Sequence, residues 1–365
     1  MNTTPPRDRR PQRIAILPGD GIGKDVTVEA VKVLAAAAER WALPLELVHL
    51  PWSADHYLAT GVSMPAGALE DFRDNYAAIL IGAYGDPRIP DMRHAADILL
   101  GIRFGLDLYI NFRPVKLYDE RLCPLKNKGR EQIDFVVFRE NTEGAYVNIG
   151  GIFKKGTPDE IAVQEEVHTR KGVERILRAA FDYARAHGKT KVCMADKSNV
   201  MRYGHDLWQR CFAEVQKDYP EITPSHLFVD ALTLQMVRAP EQFEVVVTNN
   251  MFGDIVTDLG AALQGGLGVA GSANVHPGRV SMYEPVHGSA PKYAGTGRAN
   301  PVGAVLSVAL MLADLGHDEA AREVERAVEQ SLRDGQSTVD IGGKLTTSQV
   351  GDVLARAVAG AMATR

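Results

Sequence analysis

Cysteine is scarce: Cys123, Cys193 and Cys211 are the three among 365 residues, and no two stand at CxxC spacing. An odd, unpatterned count argues against a disulfide framework and a structural zinc site; it favours a reducing compartment, the cytoplasm, with each thiol buried. No run of eighteen apolar residues occurs, so no membrane-spanning helix is expected. The opening Met1–Gln12 lacks the apolar stretch of a signal peptide and reads as a flexible tail. Basic residues do not dominate (41 against 46 acidic, net charge −5) and are scattered, so nucleic-acid binding has no electrostatic basis. Internal repeats are absent.

What is present is an alternation of short apolar runs with helical patterns. Buried strands are predicted at 13–18, 77–82, 134–139, 191–195, 227–230 and 243–248. Helices are predicted at 25–38, 95–104, 170–187, 203–217, 252–264, 304–315 and 319–333. Strands alternating with helices define an α/β architecture, and the length favours two domains. Residues 150–167 differ, with Gly-Gly, a Lys-Lys-Gly-Thr-Pro turn and a β-leaning stretch, and read as a hairpin arm.

Gly19-x-Gly21-x-Gly23 follows the first strand as a Rossmann phosphate loop would, but neither frame completes Gly-x-Gly-x-x-Gly. If a dinucleotide binds, something else holds its phosphates. Arg103, Arg113 and Arg139 supply guanidinium forks suited to a di- or triacid, the competing reading being three unrelated surface ion pairs. Asp254 and Asp258, at i and i+4, share a helical face; without His or Cys alongside, they suit Mg²⁺ or Mn²⁺. The competing reading, a favourable helix dipole, explains Asp254 better than Asp258. Lys197 and Asp230 both end apolar runs, a position open to a general base but also to ordinary strand-end charges. The loop Glu284-Pro-Val-His-Gly-Ser-Ala-Pro-Lys-Tyr-Ala-Gly295 offers His287 and close backbone approach to a ligand.

Four segments, Leu17-Pro-Gly-Asp-Gly-Ile-Gly23, Arg139-Glu-Asn-Thr-Glu-Gly144, Asn250-Met-Phe-Gly-Asp-Ile255 and Glu284-Pro-Val-His-Gly-Ser-Ala-Pro291, stand in one order. Together they resemble the metal-dependent β-decarboxylating dehydrogenases, which act on isopropylmalate, isocitrate, homoisocitrate, and tartrate or D-malate. The resemblance runs from Arg13 to the C-terminus. It implies a two-domain, non-Rossmann α/β fold with a dimer arm: residues 1–108 and 265–365 bind the cofactor, and 109–264 form the central domain. It further implies that Arg103, Arg113 and Arg139 clamp the malate carboxylates and that Tyr146 protonates carbon after CO₂ leaves. Lys197 would be the base, with Asp230 beside it, both supplied by the partner subunit of a homodimer. Asp254, Asp258 and Asp230 would hold Mg²⁺ or Mn²⁺. The cofactor segment would comprise His287, Gly288, Ser289, Ala290, Lys292, Tyr293 and Asn300.

Two departures bear on specificity. Lys292-Tyr293 resembles NADP-linked members, whereas Ser337-Thr-Val-Asp-Ile-Gly-Gly343 resembles NAD-linked ones; NAD is the first expectation and NADP stays open. Leu99 and Leu100 resemble an isopropylmalate pocket, although Ala96 stands where an acidic residue is expected. The first expectation is therefore a 3-substituted malate such as 3-isopropylmalate. The alternatives are tartrate or D-malate, then isocitrate or homoisocitrate, and finally a non-catalytic subunit of the same fold.

Overall fold

The structure, a computed structural model, describes residues 11–360. Most of the expected tail lies outside that range, but Gln12 belongs to the first strand rather than to a tail. Two compact units divide the described residues: 11–98, 278–284 and 288–360, and 99–277 with 285–287.

The first unit opens with β1 (Gln12–Leu17), α1 (Ile22–Arg40), β2 (Leu45–His49), α2 (Ala54–Thr60), α3 (Ala68–Asn75) and β3 (Ala78–Ile81). The unit boundary falls inside α4 (Arg93–Gly105). The second unit continues through β4 (Ile110–Lys116), β5 (Asp134–Glu140), β6 (Gly150–Phe153), β7 (Ile161–Gln164), α5 (Arg170–Ala186), β8 (Lys191–Asp196) and α6 (Gly204–Val215). It is completed by β9 (Thr223–Phe228), α7 (Val229–Arg238), β10 (Val245–Thr248), α8 (Asn250–Leu263) and β11 (Gly271–Val275). The chain then adds β12 (Ser281–Pro285), α9 (Val302–Asp314), α10 (Asp318–Arg333) and α11 (Thr347–Val358).

In the first unit the strands run β2-β1-β3-β12, all parallel. In the second they run β11-β4-β5-β10-β8-β9; β4 is antiparallel to both neighbours and the other pairings are parallel. Strands covered on both faces need apolar residues at every position, because successive side chains point to opposite sides. On one face Val136, Phe138, Val192, Met194, Val245 and Val247 pack with Trp208 and Phe181. On the other, Val137, Cys193, Ala195 and Val246 pack with Leu232, Met236 and Val256. Trp208 is fully buried, so truncating it to alanine would cost about 3–5 kcal/mol.

Register is what positions the site. Thr248 of β10 lies beside Arg139 of β5 and Ala195 of β8, and Ala195 beside Leu227 of β9. The C-terminal ends of four parallel strands are thus level, which is where α/β sheets place ligands. Three expectations are corrected. The 227–230 strand ends at Phe228, and Asp230 sits in the first turn of α7. The chain enters that helix directly from the strand, leaving no turn residue to mark the change. Helix α8 begins at Asn250, so Asp254 lies beyond its first turn, where a helix dipole has faded. Cys123 is half-buried, whereas Cys193 and Cys211 are buried.

Candidate active site

Arg139 is the next-to-last residue of β5, its side chain almost wholly buried. A lone buried guanidinium is costly, so its donors must be met. Nε and Nη2 donate to Asn250 Oδ1 at 3.0 and 2.7 Å, and Nη1 pairs with Asp254 Oδ1. Gly253 makes this possible: a Cβ there would stand 2.4 Å from Arg139 Cγ. Asn249 caps α8 by accepting the Phe252 N–H at 2.9 Å, fixing the helix that carries both aspartates.

The Tyr146 hydroxyl donates to Asp254 Oδ2 at 2.8 Å, and the Arg139 guanidinium lies 5.1 Å from the Tyr146 ring centre. Arg113 is buried; its Nε donates to Asn111 Oδ1 at 2.8 Å and its Nη1 reaches Thr257 Oγ1 at 3.5 Å. Burial would raise Asp254, but Arg139, Tyr146 and Arg113 outweigh it and hold the carboxyl low. Asp258 is raised by burial and then by the Asp254 charge, against Arg113 and Arg139. Tyr146 is also raised, first by burial and then, despite Arg139, by Asp254. Arg139 is lowered by burial and by Arg103, partly offset by Asp254. Arg103, Arg113, Arg139, Tyr146, Asp254 and Asp258 therefore share one electrostatic neighbourhood. Three unrelated surface pairs do not describe it.

Lys197 follows β8 directly, and its Nζ bonds to Asp230 Oδ1 at 2.5 Å. Asp230 is lowered by that contact and its carboxylate is largely exposed. Among the described residues Asp230, Asp254 and Asp258 do not form a cluster of three within one chain. Leu99 and Leu100 stand four and three residues before Arg103 on α4, so all three share a helix side.

Of the cofactor candidates, buried His287 belongs to the second unit, and Gly288, Ser289, Ala290, Lys292, Tyr293 and Asn300 to the first. The glycine loop is spent on packing: Ile22 N–H donates to Ser289 O at 2.8 Å, and a Cβ on Gly21 would stand 2.1 Å from that oxygen. Ala290 adopts φ 35° and leads into the turn Pro291–Tyr293. Lys292 Nζ and the Arg298 guanidinium lie 4.8 and 5.6 Å from the Tyr293 ring centre. Asn300 Nδ2 donates to Asp340 Oδ2 at 3.1 Å, bringing the 337–343 segment to it.

The sequence matches the isocitrate/isopropylmalate dehydrogenase family over residues 13–354. The chain belongs to that family. It is 45% identical over 352 residues to a 3-isopropylmalate dehydrogenase of Thermobifida fusca (strain YX), covering 96% of this chain and 98% of the relative. A 3-isopropylmalate dehydrogenase of Streptomyces griseus is 43% identical over 348 residues, covering 95% and 98%. The crystal structure of isocitrate dehydrogenase from Methylococcus capsulatus superposes with a TM-score of 0.85 at 34% identity, covering 95% of this chain and 99% of that one. As a member of this dehydrogenase family the chain is an enzyme, and no helix among its described residues is long and apolar enough to cross a membrane.

Sequence reasoning passed over Asn250, the residue that orients Arg139, and Gly253, which makes room for it. Both lie inside a segment that was noted, yet nothing local distinguishes an amide that holds an arginine from one that starts a helix. Asp196, immediately before Lys197, carries no distinguishing sequence signal either. It is buried, accepts the Ser198 N–H at 3.0 Å and the Gln209 side chain at 2.7 Å, and meets His226 Nε2 at 2.9 Å.

Proposed function

We propose that this enzyme oxidatively decarboxylates 3-isopropylmalate, using NAD and Mg²⁺ or Mn²⁺, as a cytoplasmic homodimer with shared active sites. The observation that carries the reading is the convergence of Arg139, Arg113 and Tyr146 on Asp254, with Asp258 one helical turn away. The names of the two relatives given above support the substrate. Leu99 and Leu100, beside Arg103, supply an apolar surface for the isopropyl group.

The donor set fits a hard divalent cation. The Asp254 charge raises the Asp258 carboxyl, and an all-oxygen site relieves that repulsion by taking a metal. Asp254 and Asp258 would hold it, with Asp230 of the partner subunit. The nucleotide segment also fits: Lys292 and Arg298 flank an aromatic ring at an exposed turn, two cations suited to an anionic dinucleotide. When bound, the cation would supply Lewis acidity and the nicotinamide a hydride acceptor.

The chain's own residues do the rest. The arginines fix the carboxylates in a water-poor corner, where two-point contacts set orientation. Lys197, held by Asp230, receives the C2-hydroxyl proton. Tyr146 keeps its proton because burial and Asp254 resist ionisation, so it can deliver one to the carbon that has lost CO₂. The paired subunit is supported by the lack, among the described residues of one chain, of a cluster uniting Asp230, Asp254 and Asp258. It is further supported by the arm, whose Ile152, Phe153, Ile161 and Val163 are 53, 61, 55 and 49% exposed.

Steady-state rates on 3-isopropylmalate, D-malate, tartrate and isocitrate, with Mn²⁺ and each nicotinamide cofactor, test this. The highest kcat/KM is expected on 3-isopropylmalate with NAD. A tenfold advantage (roughly, an energy step of ~1.4 kcal/mol) for any other acid overturns the substrate assignment.

A further inference from the structure

Outside the residues already assigned, the second unit buries a cluster of Glu166, His168 and His205, whose ligand-capable atoms all lie within 4.8 Å of one another. Its composition invites a metal, but the hydrogen bonds argue otherwise. His205 Nδ1 accepts the Lys197 backbone N–H at 2.7 Å, and His168 Nδ1 accepts the Trp208 indole N–H at 3.3 Å. Both donors can only donate, so each neutral imidazole carries its proton on Nε2; Asn249 Nδ2, 3.3 Å from His205 Nε2, donates instead to Glu166 Oε1 at 2.8 Å. A histidine that ligates through Nε2 needs the reverse, a proton on Nδ1 given to an acceptor. Here both Nε2 atoms face the Glu166 carboxylate, at 3.2 Å from His168 and 3.6 Å from His205. Burial would raise that carboxyl, yet the two histidines outweigh it and hold it down to about 2.

Three contacts lead out of this cluster. Through His205 it grips the backbone of Lys197. Through Glu166 Oε1 it accepts the Asn249 side-chain N–H at 2.8 Å, orienting the residue that caps α8. Between Glu166 and His168, Val167 accepts the Gly144 N–H at 2.8 Å, two residues before Tyr146. The lysine loop, the aspartate helix and the tyrosine turn thus meet at one three-residue segment at the root of the hairpin arm. His168 can sit there because residue 204 is glycine; a Cβ on Gly204 would stand 2.7 Å from its ring.

We propose that Glu166, with His168 and His205, is a positioning hub that sets Lys197, Tyr146 and the start of α8 relative to one another. None of the three touches substrate; they act through the groups they hold. The proposal rests on the catalytic roles given above.

In Glu166→Gln the carboxylate that both Nε2–H groups face becomes a neutral amide with protons of its own. The expected result is kcat lowered roughly 10- to 100-fold by misplacement, with KM within about threefold of wild type. His205→Asn, whose Oδ1 can still accept the Lys197 N–H, should keep more activity than His205→Ala. Wild-type kcat in Glu166→Gln, or equal losses in both His205 variants, overturns the proposal.

Nitrogen-15 spectra of histidine-labelled wild-type enzyme provide a readout independent of turnover and of whether any variant folds. Both rings should show a protonated Nε2 and an unprotonated Nδ1, unchanged by one equivalent of Zn²⁺. The opposite tautomers, or Zn²⁺-shifted His168 and His205 signals, would make the cluster a metal site and sink the hub. If wild type turned over no malate while these spectra stood, the reaction assignment would fail and the hydrogen-bonded arrangement would survive.

Discussion

Arg139 and Asp254 form an ion pair in which the cation is the hidden partner, its side chain 2% exposed against 46% for the carboxylate. The pair is asymmetric for a reason. Arg139 is locked from behind by Asn250 and by the space over Gly253, whereas Asp254 faces outward with one oxygen already taken by Tyr146. The arginine therefore acts as a fixed post, and the more exposed aspartate is the member proposed to meet a cation.

Gly253→Ala tests how tightly that post is held. A methyl group would collide with Cβ and Cγ of Arg139, which has no free space to retreat into. Overpacking of this kind costs about 1–3 kcal/mol. The variant should melt earlier, and KM for the malate should rise as the guanidinium shifts. An unchanged melting temperature and KM would show that the arginine stem is not confined as described.

Asp258 gives a pH prediction with a definite sign. Burial and the Asp254 charge raise its carboxyl, so the folded protein holds that proton more tightly than the unfolded chain does. Its contribution to the metal-free protein is favourable at acid pH and is lost as pH rises through the elevated titration. Asp254 works the other way: it is lowered on balance, so its contribution is present above its unfolded value and fades as pH falls through the lowered one. Asp258→Asn should consequently melt at the same temperature as metal-free wild type or higher near neutral pH, while losing the thermal gain produced by Mn²⁺. Calorimetry with and without Mn²⁺ checks both halves. A less stable metal-free variant, or an undiminished Mn²⁺ gain, contradicts the assignment.

Lys197→Ala should lower kcat by roughly 10²–10⁴-fold, the range removed with a general base, while Mn²⁺ affinity changes little. The short contact to Asp230 would be lost, but Asp254 and Asp258 would be untouched. Titration calorimetry beside single-turnover kinetics separates these effects. Normal turnover would remove Lys197 from the chemistry.

How far the sequence disclosed this arrangement depended on whether the signal was local. The strand carrying Arg139 was legible because Phe135-Val-Val-Phe138 is apolar at every position, as a strand covered on both faces must be. The facing aspartates were legible because i and i+4 fix a shared helical side without knowledge of tertiary structure. Helix α7 was missed: it begins at Val229 straight after β9, with Phe228 in place of a polar cap. Strand β4 was missed because Pro114 and two charged residues, Arg113 and Lys116, break its apolar pattern, while its pairing with β5 supplies the stability that the pattern lacks. The links from Glu166 to His205 and to Asn249 join residues 39 and 83 positions apart, which no spacing rule connects.

Lys292→Asp should shift cofactor preference towards NAD. Lys292 stands with Arg298 against the Tyr293 ring at an exposed turn, so a phosphate on the adenosine ribose would meet two cations there. Replacing one with a carboxylate repels that phosphate and offers an acceptor to ribose hydroxyls instead. The ratio of kcat/KM for NAD to that for NADP is the measurement. An unaltered ratio would mean that Lys292 does not face the ribose.

The proposed sharing of active sites makes a quantitative demand that no single-chain site would meet. Lys197→Ala and Asp254→Asn should each be inactive, since each removes a group required at both sites of its own dimer. Mixed, unfolded and reassembled together, half of the dimers would be hybrids if pairing is random. In each hybrid one site would combine an intact Asp254 with an intact Lys197 from the other chain, and the second site would lack both. About a quarter of wild-type activity should therefore return at equal input, one intact site in half the dimers, by the reciprocity of a two-fold interface. Adding Ile152→Asp to both variants places a charge on the exposed arm and should lower the recovery by weakening the pair. If the mixture stays as inactive as its components while size measurements show that hybrids have formed, Lys197 and Asp254 serve the same chain's site and the two-chain reading is wrong.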